Sequence, residues 1–127
     1  MADPNNLVLI VEDDRWTRKA LASIFRHLGW DVLAASTLAE GLELLQAQPD
    51  CIILDLSLPD GCGEAILRQV REAGLPSRVV VCSVIVDPGR LEGVRALRPD
   101  ALFQKPIDVE QVLSVCRPPE DAPSSGP

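Results

Sequence analysis

Several apolar runs of the chain end in side chains that could take part in metal or phosphate chemistry. Glu12 and Asp13 follow the first run, Asp55 ends another, Ser83 closes a third, and Lys105 follows the last. Carboxylates repel one another when they are brought together without a counter-ion, so such a cluster favours a hard divalent cation. Mg²⁺ is the predicted ion because it prefers six oxygen ligands and commonly binds one or two carboxylates together with phosphate oxygens.

Asp55 is the candidate for covalent chemistry. A carboxylate beside a divalent cation can attack phosphorus and carry an aspartyl phosphate, while the cation and a lysine offset the charge of the transferred group. Each residue also has an ordinary explanation: Glu12 and Asp13 could begin a helix, Asp55 could cap a turn, and Lys105 could be a surface charge. Their joint occurrence at the ends of apolar runs favours a functional site.

The elements that must position these residues alternate between short apolar runs and segments with helical spacing. Strands are predicted over residues 7–11, 30–35, 51–55, 79–83 and 101–104, and a helix-period segment follows each of them. Such repeated strand-then-helix units imply parallel strands joined by right-handed crossovers, with helices on both faces. The predicted fold is a doubly wound five-stranded α/β sandwich, in which ligands collect outside the carboxyl ends of the strands.

Local signals mark the helix boundaries. Thr37 begins a capping box, Asp87 followed by Pro88 predicts a helix start, and Asp108 is the predicted cap of the last helix. The helix after Asp87 is expected to be the weakest because it contains two glycines. Residues 58–61, with the sequence LPDG, have the composition of a turn.

Length and charge exclude several classes of protein. The chain has 127 residues, 46% of them hydrophobic, which suits a single packed domain. Its 12 Lys and Arg residues against 19 Asp and Glu residues give a net charge of −7, the wrong sign for a domain that binds nucleic acid directly. No apolar run approaches the roughly 18 residues of a membrane span, and residues 1–4 lack a signal-peptide pattern, so a cytoplasmic location is expected.

Cysteine spacing and proline content set two further expectations. The four cysteines lack the spacing of a zinc site or a redox pair and are predicted to pack as small apolar residues. Residues 117–127 contain four prolines and cannot continue a helix or strand. The predicted organisation is one domain over residues 1–116 and a proline-rich tail or linker over residues 117–127.

Several motifs together resemble the receiver domain of two-component response regulators, over about residues 6–116. They are LIVEDD at residues 9–14, DLSLPDG at residues 55–61, Ser83, and Lys105 followed by Pro106. One motif alone would be weak evidence, but their order and spacing are specific. The resemblance implies a flavodoxin-like three-layer sandwich with the sheet order 2-1-3-4-5.

The resemblance also implies a chemical role for the acidic residues. Asp55 would accept a phosphoryl group from a sensor histidine kinase or a phosphotransfer protein. Mg²⁺ would be bound by Asp13 and Asp55, through water by Glu12, and by the backbone carbonyl of Ser57. The domain would catalyse only its own phosphorylation and dephosphorylation, so it would not be an enzyme that turns over a substrate.

A conformational switch is part of what the resemblance implies. Lys105 would pair with the phosphoryl group, Ser83 would hydrogen-bond it and move the loop after the fourth strand, and Pro106 would follow a cis peptide bond. The surface formed by the fourth helix, fifth strand and fifth helix would contact an output partner or an appended effector domain. A dimer that forms on phosphorylation is a further expectation, without direct contact to nucleic acid or membrane.

Two positions depart from the pattern of this family. Leu102 stands where most receiver domains have an aromatic switch residue, and Phe103, displaced by one, is expected to face the other side of the sheet. Val84 stands where the residue is usually small. Its stiff β-branched side chain is expected to crowd the phosphorylation pocket and to limit the entry of water or a partner.

These departures leave other function classes open. A degenerate receiver would keep the fold and bind partners without phosphate, although the complete acidic set and Lys105 count against it. A phosphatase of the haloacid dehalogenase type would also use an aspartyl phosphate. It would need a second aspartate two residues after Asp55, where this chain has Ser57.

Overall fold

Five parallel strands form the sheet that carries the candidate residues. The computed structural model describes residues 6–84 and 87–116. Its strands are β1 (Leu7–Val11), β2 (Asp31–Ala35), β3 (Cys51–Leu54), β4 (Arg78–Ser83) and β5 (Ala101–Gln104). They lie in the order β2-β1-β3-β4-β5, and all neighbours are parallel. The predicted doubly wound sheet and the strand order implied by the resemblance are confirmed.

Helices cover both faces of this sheet. In the described ranges they are α1 (Arg15–His27), α2 (Leu38–Leu44), α3 (Glu64–Glu72), α4 (Pro88–Ala96) and α5 (Val109–Cys116), and a 3₁₀ turn at Leu45–Ala47 continues α2. Val8 and Ile10 belong to the core beneath α1 and α5, whereas Leu9 and Val11 belong to the core beneath α2, α3 and α4. Because both faces of β1 are buried, its sequence is a continuous apolar run.

The predicted helix starts are present. The side chains of Thr37, Asp87 and Asp108 accept hydrogen bonds from backbone N–H groups in the first turns of α2, α4 and α5. Asp14 caps α1 in the same way through Thr17 N–H, at 2.8 Å, a cap that the sequence analysis did not identify. The predicted weakness of α4 matches its packing, because Val94 is its one buried residue.

A short hairpin between β3 and α3 was predicted only as a turn. Residues Ser57–Leu58 pair antiparallel with Gly61–Cys62. Strands of two residues are too short to show a hydrophobic period, so the sequence indicates the turn but not the pairing. At the tip of this hairpin, Asp60 accepts hydrogen bonds from the backbone N–H groups of Leu38 and Ala39, at 2.7 and 3.0 Å, and so holds the start of α2.

The remaining differences from the predictions are small. β2 begins at Asp31 and β4 at Arg78, one residue from their predicted starts, and β3 ends at Leu54 rather than at Asp55. Three cysteines are buried as predicted, but Cys62, in the hairpin, is exposed. The predicted tail over residues 117–127 lies outside the described residues. Among the described helices, none has the length and apolar character that a membrane crossing requires.

Candidate functional site

Three carboxylates meet where β1 and β3 end. Val11 and Leu54 are register partners in these adjacent strands, so the residues that follow them emerge side by side. One carboxylate oxygen from each of Glu12, Asp13 and Asp55 lies within 4.8 Å of the other two. Glu12 and Asp55 are 3% and 6% exposed, whereas Asp13 is open to solvent. Two buried oxygen ligands and one exposed ligand suit a hard cation that also keeps water in its coordination sphere.

Lys105 reaches this cluster from the end of β5. Its Nζ atom lies 2.8 Å from Glu12 Oε1 and 3.2 Å from Asp55 Oδ2. The backbone N–H of Lys105 donates to the carbonyl of Ser83 at 2.9 Å, which ties the ends of β4 and β5 together. The peptide bond between Lys105 and Pro106 is cis, as the resemblance implied. The structure therefore brings together the carboxylates and the lysine that the sequence singled out.

Burial and charge act in opposite directions on these groups. Burial raises the pKa of Glu12, and the hydrogen bond from Lys105 only partly offsets this effect. Burial alone would lower the pKa of Lys105, but the Glu12 hydrogen bond and the nearby Asp55 charge outweigh it and raise that pKa. With all groups ionised, three carboxylates and one ammonium carry a net charge of −2, which a divalent cation would balance.

Ser57 and Ser83 flank the cluster. The backbone N–H of Ser57 donates to Asp55 Oδ1 at 3.1 Å, while the other oxygen of that carboxylate faces Lys105. The orientation of the Asp55 carboxylate is therefore fixed on both sides. Ser83 is 2% exposed at the end of β4, beside the backbone of Lys105.

The two departures from the family pattern have different outcomes. Leu102 packs against the core beneath α2, α3 and α4, and Phe103 packs against the opposite core, so they face opposite sides of the sheet as expected. Val84 is 63% exposed, so its side chain is not packed inside a pocket. The expected crowding by Val84 is not seen in this packing, and its effect on access stays a prediction.

Arg18 is a site residue that the sequence analysis missed. Its Nη1 atom donates to the backbone carbonyl of Glu12 at 2.9 Å and to that of Asp13 at 3.3 Å. The guanidinium thus holds the turn that carries both acidic residues. The signal in the sequence is its position one helical turn after Asp14, the cap of α1, where a long side chain can reach back over the helix start.

Arg90, in the first turn of α4, was also missed. Its Nε and Nη2 atoms donate to the two carboxylate oxygens of Glu64 at 2.7 and 2.9 Å. Nη2 also donates to the backbone carbonyl of Leu56 at 3.0 Å. These contacts span 26 and 34 residues of sequence, so no local pattern indicates them.

Gly63 leaves room for the backbone of the candidate nucleophile. A Cβ atom at this position would clash with the carbonyl oxygen of Asp55 and would lie 3.0 Å from Leu56 Cα. We expect Gly63→Ala to displace this backbone, to lower the free energy of unfolding by ~1–3 kcal/mol, and to weaken metal binding at the cluster. Chemical denaturation and metal titration would measure both effects.

Gly93→Ala is the matched control for this substitution. Gly93 lies inside α4, and a Cβ atom there would meet nothing within 4 Å. Alanine should therefore raise the free energy of unfolding by up to about 1 kcal/mol. If Gly63→Ala behaved like Gly93→Ala, the close approach at Asp55 would have no consequence for the site.

The family model and similar curated proteins agree on one family. The family model for the response regulator receiver domain matches residues 8–117. The chain is 34% identical over 111 residues to the KDP operon transcriptional regulatory protein KdpE of Escherichia coli (strain K12), covering 87% of this chain and 49% of that protein. It is 32% identical over 127 residues to response regulator MprA of Mycobacterium bovis, covering 93% and 54%. The chain thus spans about half the length of these relatives.

Solved structures are similar in fold. A CheY-like response regulator receiver domain protein from Methanospirillum hungatei gives a TM-score of 0.80 at 22% identity, over 87% of this chain and 89% of that chain. A response regulator from Burkholderia pseudomallei, whose structure has a phosphorylated aspartic acid, a calcium ion and citrate, gives 0.80 at 21% identity, over 89% and 67%. At these identities the likeness concerns the fold.

Proposed function

The chain belongs to the response regulator receiver domain family, and from this we propose that Asp55 accepts a phosphoryl group in a Mg²⁺-dependent reaction. The placement of Asp55 supports the proposal most directly. Its carboxylate is buried, lies 3.2 Å from the Lys105 ammonium, and shares one cluster with Glu12 and Asp13. The Asp55 nucleophile, the Lys105 ammonium and the carboxylates that would bind Mg²⁺ are therefore close to one another.

The proposed transfer is a displacement at phosphorus. A carboxylate oxygen of Asp55 forms a bond to phosphorus while the P–N bond of a donor phosphohistidine breaks, and the departing imidazole takes up a proton. Ser57 N–H and Lys105 orient the carboxylate, and Lys105 then offsets the charge of the bound phosphoryl group. Mg²⁺, held by Asp13, Asp55, the Ser57 carbonyl and Glu12 through water, would supply further charge neutralisation.

The proposal extends to partners. The donor would be a sensor histidine kinase or a phosphotransfer protein, and the domain would reside in the cytoplasm without turning over a substrate of its own. An output partner or an appended effector domain would bind the surface of α4, β5 and α5. The relatives named above support an effector because about half of their length lies outside the match. Dimerisation on phosphorylation is also part of this proposal.

A phosphorylation-independent receiver is the less supported alternative. Leu102 and Val84 are the two residues that favour this alternative, and neither of them disturbs the carboxylate cluster. Leu102 packs into the core as an ordinary apolar residue, and Val84 is exposed. A domain that bound partners without phosphate would not require three carboxylates and a lysine to be assembled at the strand ends.

A metal titration tests the proposed site. Trp16 lies in the first turn of α1, three residues after Asp13, and its exposed ring should report Mg²⁺ binding as a change in fluorescence. Asp13→Asn should weaken Mg²⁺ affinity by more than about tenfold because it removes a charged ligand. Acetyl phosphate should add one phosphoryl group to the wild-type protein, as measured by intact mass, only when Mg²⁺ is present.

Asp14→Asn is the matched control for Asp13→Asn. Asp14 caps α1 and is not a member of the carboxylate cluster, and asparagine caps helices about as well as aspartate. The Mg²⁺ affinity of Asp14→Asn should fall far less than that of Asp13→Asn, because no metal ligand is lost. Phosphorylation of the wild-type protein in the presence of a chelator would contradict the proposed role of the metal.

A further inference from the structure

Arg90 connects three segments that are far apart in the sequence. It belongs to the first turn of α4, it pairs with Glu64 at the start of α3, and it donates to the carbonyl of Leu56. Leu56 directly follows Asp55 and is fully buried. We call the contacts of Arg90 with Glu64 and Leu56 the α4 clamp. Through this clamp, α4 is bonded to the backbone next to the candidate phosphoacceptor.

The chemistry of the clamp requires a guanidinium. Two N–H groups of Arg90 bind both oxygens of one carboxylate, and Nη2 also donates to a carbonyl, so the planar fork satisfies three acceptor positions. The two side chains are 31% and 16% exposed. A partly buried, bidentate pair of this kind is held more strongly than an ion pair on the surface.

Helix α4 has little burial of its own to hold it against the rest of the domain. Val94 is its one buried residue, whereas α3 buries three. The helix also follows a connection whose other end is Ser83, which lies beside the backbone of Lys105. Both ends of the connection between β4 and α4 are therefore attached to the candidate site.

We infer that Arg90 is a positioning residue, which holds the start of α4 against the backbone beside Asp55 and thereby sets the position of α4 in the unphosphorylated domain. The link to signalling rests on the proposed function. In that context, the clamp opposes displacement of α4, so phosphorylation must work against it before the output surface changes. Without the clamp, α4 opens more often in the unphosphorylated domain, and phosphorylation has less left to change.

Hydrogen exchange of the full chain tests this inference. Arg90→Gln should increase amide exchange of α4 about tenfold in metal-free protein, because the loss of charge-assisted hydrogen bonds raises the fraction of time that the helix is open. Exchange in α1 and in the buried strands should stay at the wild-type rate. Glu64→Gln should give a smaller increase, because the bond from Arg90 to the Leu56 carbonyl remains.

Arg95→Gln is the matched control on the same helix. Arg95 is exposed in the last turn of α4, and the described part of the chain offers its side chain no hydrogen bond or ion pair. This variant should exchange like the wild-type protein. Equal exchange of α4 in Arg90→Gln and Arg95→Gln would overturn the inference, and so would a uniform increase in every element, which would indicate a general loss of stability.

A second arm separates this inference from the proposed function. Beryllofluoride with Mg²⁺, an analogue of the bound phosphoryl group, should change α4 exchange in the wild-type protein by a larger factor than in Arg90→Gln. If the wild-type protein did not respond at all, the proposed phosphoryl site would be wrong, while the metal-free comparison would still decide the role of Arg90. Equal factors in both proteins would contradict a clamp that phosphorylation works against.

Discussion

Asp55→Asn should abolish incorporation of a phosphoryl group from acetyl phosphate and should leave the fold intact. Asparagine has nearly the same shape and keeps an oxygen that can accept the hydrogen bond of Ser57 N–H. It has no carboxylate oxygen to attack phosphorus, so the covalent step is lost rather than slowed. Intact-mass spectrometry in the presence of Mg²⁺ should show full modification of the wild-type protein and none of the variant.

The fold should tolerate this change because it removes one of three mutually repelling carboxylates. Lys105 keeps its contact with Glu12, at 2.8 Å, so the remaining buried charge still has a partner. We expect the free energy of unfolding to fall by no more than about 1 kcal/mol, or to rise.

Asp31→Asn is the control for Asp55→Asn. Asp31 is exposed at the start of β2, at the amino-terminal ends of the strands and so far from the cluster. The same chemical change there should leave phosphorylation unaffected. If Asp55→Asn still gained a phosphoryl group, and peptide mapping placed that group on another residue, the acceptor would have been misassigned.

Lys105→Met should lower the free energy of unfolding by about 2 kcal/mol at pH 8 in the presence of a chelator. The substitution leaves Glu12 and Asp55 buried beside each other without the ammonium between them. Removing one partner of a fully buried pair costs ~3–5 kcal/mol. The expected loss is smaller because 23% of the Lys105 side chain is exposed. Urea unfolding of both proteins would measure it.

The pH dependence of this loss has a definite sign. Burial already raises the pKa of Glu12, and removal of Lys105 should raise it further. The folded variant then holds a proton on Glu12 that the unfolded chain has released, so the free energy of unfolding decreases as pH rises above the ordinary glutamate pKa of about 4.3. The difference from the wild-type protein should therefore be small near pH 4 and grow towards pH 8.

Lys19→Met provides the control, because Lys19 is the other lysine of this chain and lies exposed on α1. Its free energy of unfolding should differ from the wild-type value by less than about 0.5 kcal/mol at every pH. A loss in Lys105→Met that did not vary with pH would indicate lost packing of the lysine stem rather than uncompensated carboxylates. Phosphorylation-dependent changes in the output surface should also be weaker in Lys105→Met.

The cluster could be predicted from the sequence because it depends on strand ends. Four of the five apolar runs end at or just before a residue that carries the chemistry, and parallel strands bring those ends to one edge. Glu12, Asp55 and Lys105 were identified in this way. The opposite orientations of Leu102 and Phe103 were also predictable, because side chains alternate along a strand.

The supporting contacts could not be predicted in the same way. Arg90 meets Glu64 and Leu56 across tertiary contacts that depend on how α4 packs on α3, and a surface arginine has no sequence signal for such a partner. Gly63 has a helical φ of −61°, so the backbone conformation does not require glycine. Only the three-dimensional approach of the Asp55 carbonyl explains it. The same applies to the hairpin, whose strands have two residues each.

The segment from Asp55 to Gly63 is bonded to two helices, and this limits how its length can vary. Asp60 holds the start of α2, and the Leu56 carbonyl accepts from Arg90 of α4. Surface loops usually tolerate insertions and deletions because their ends alone are constrained. Here an added or deleted residue would move at least one of these attachments out of register. Although the segment connects β3 to α3 as a loop, we therefore expect it to tolerate substitutions better than changes of length.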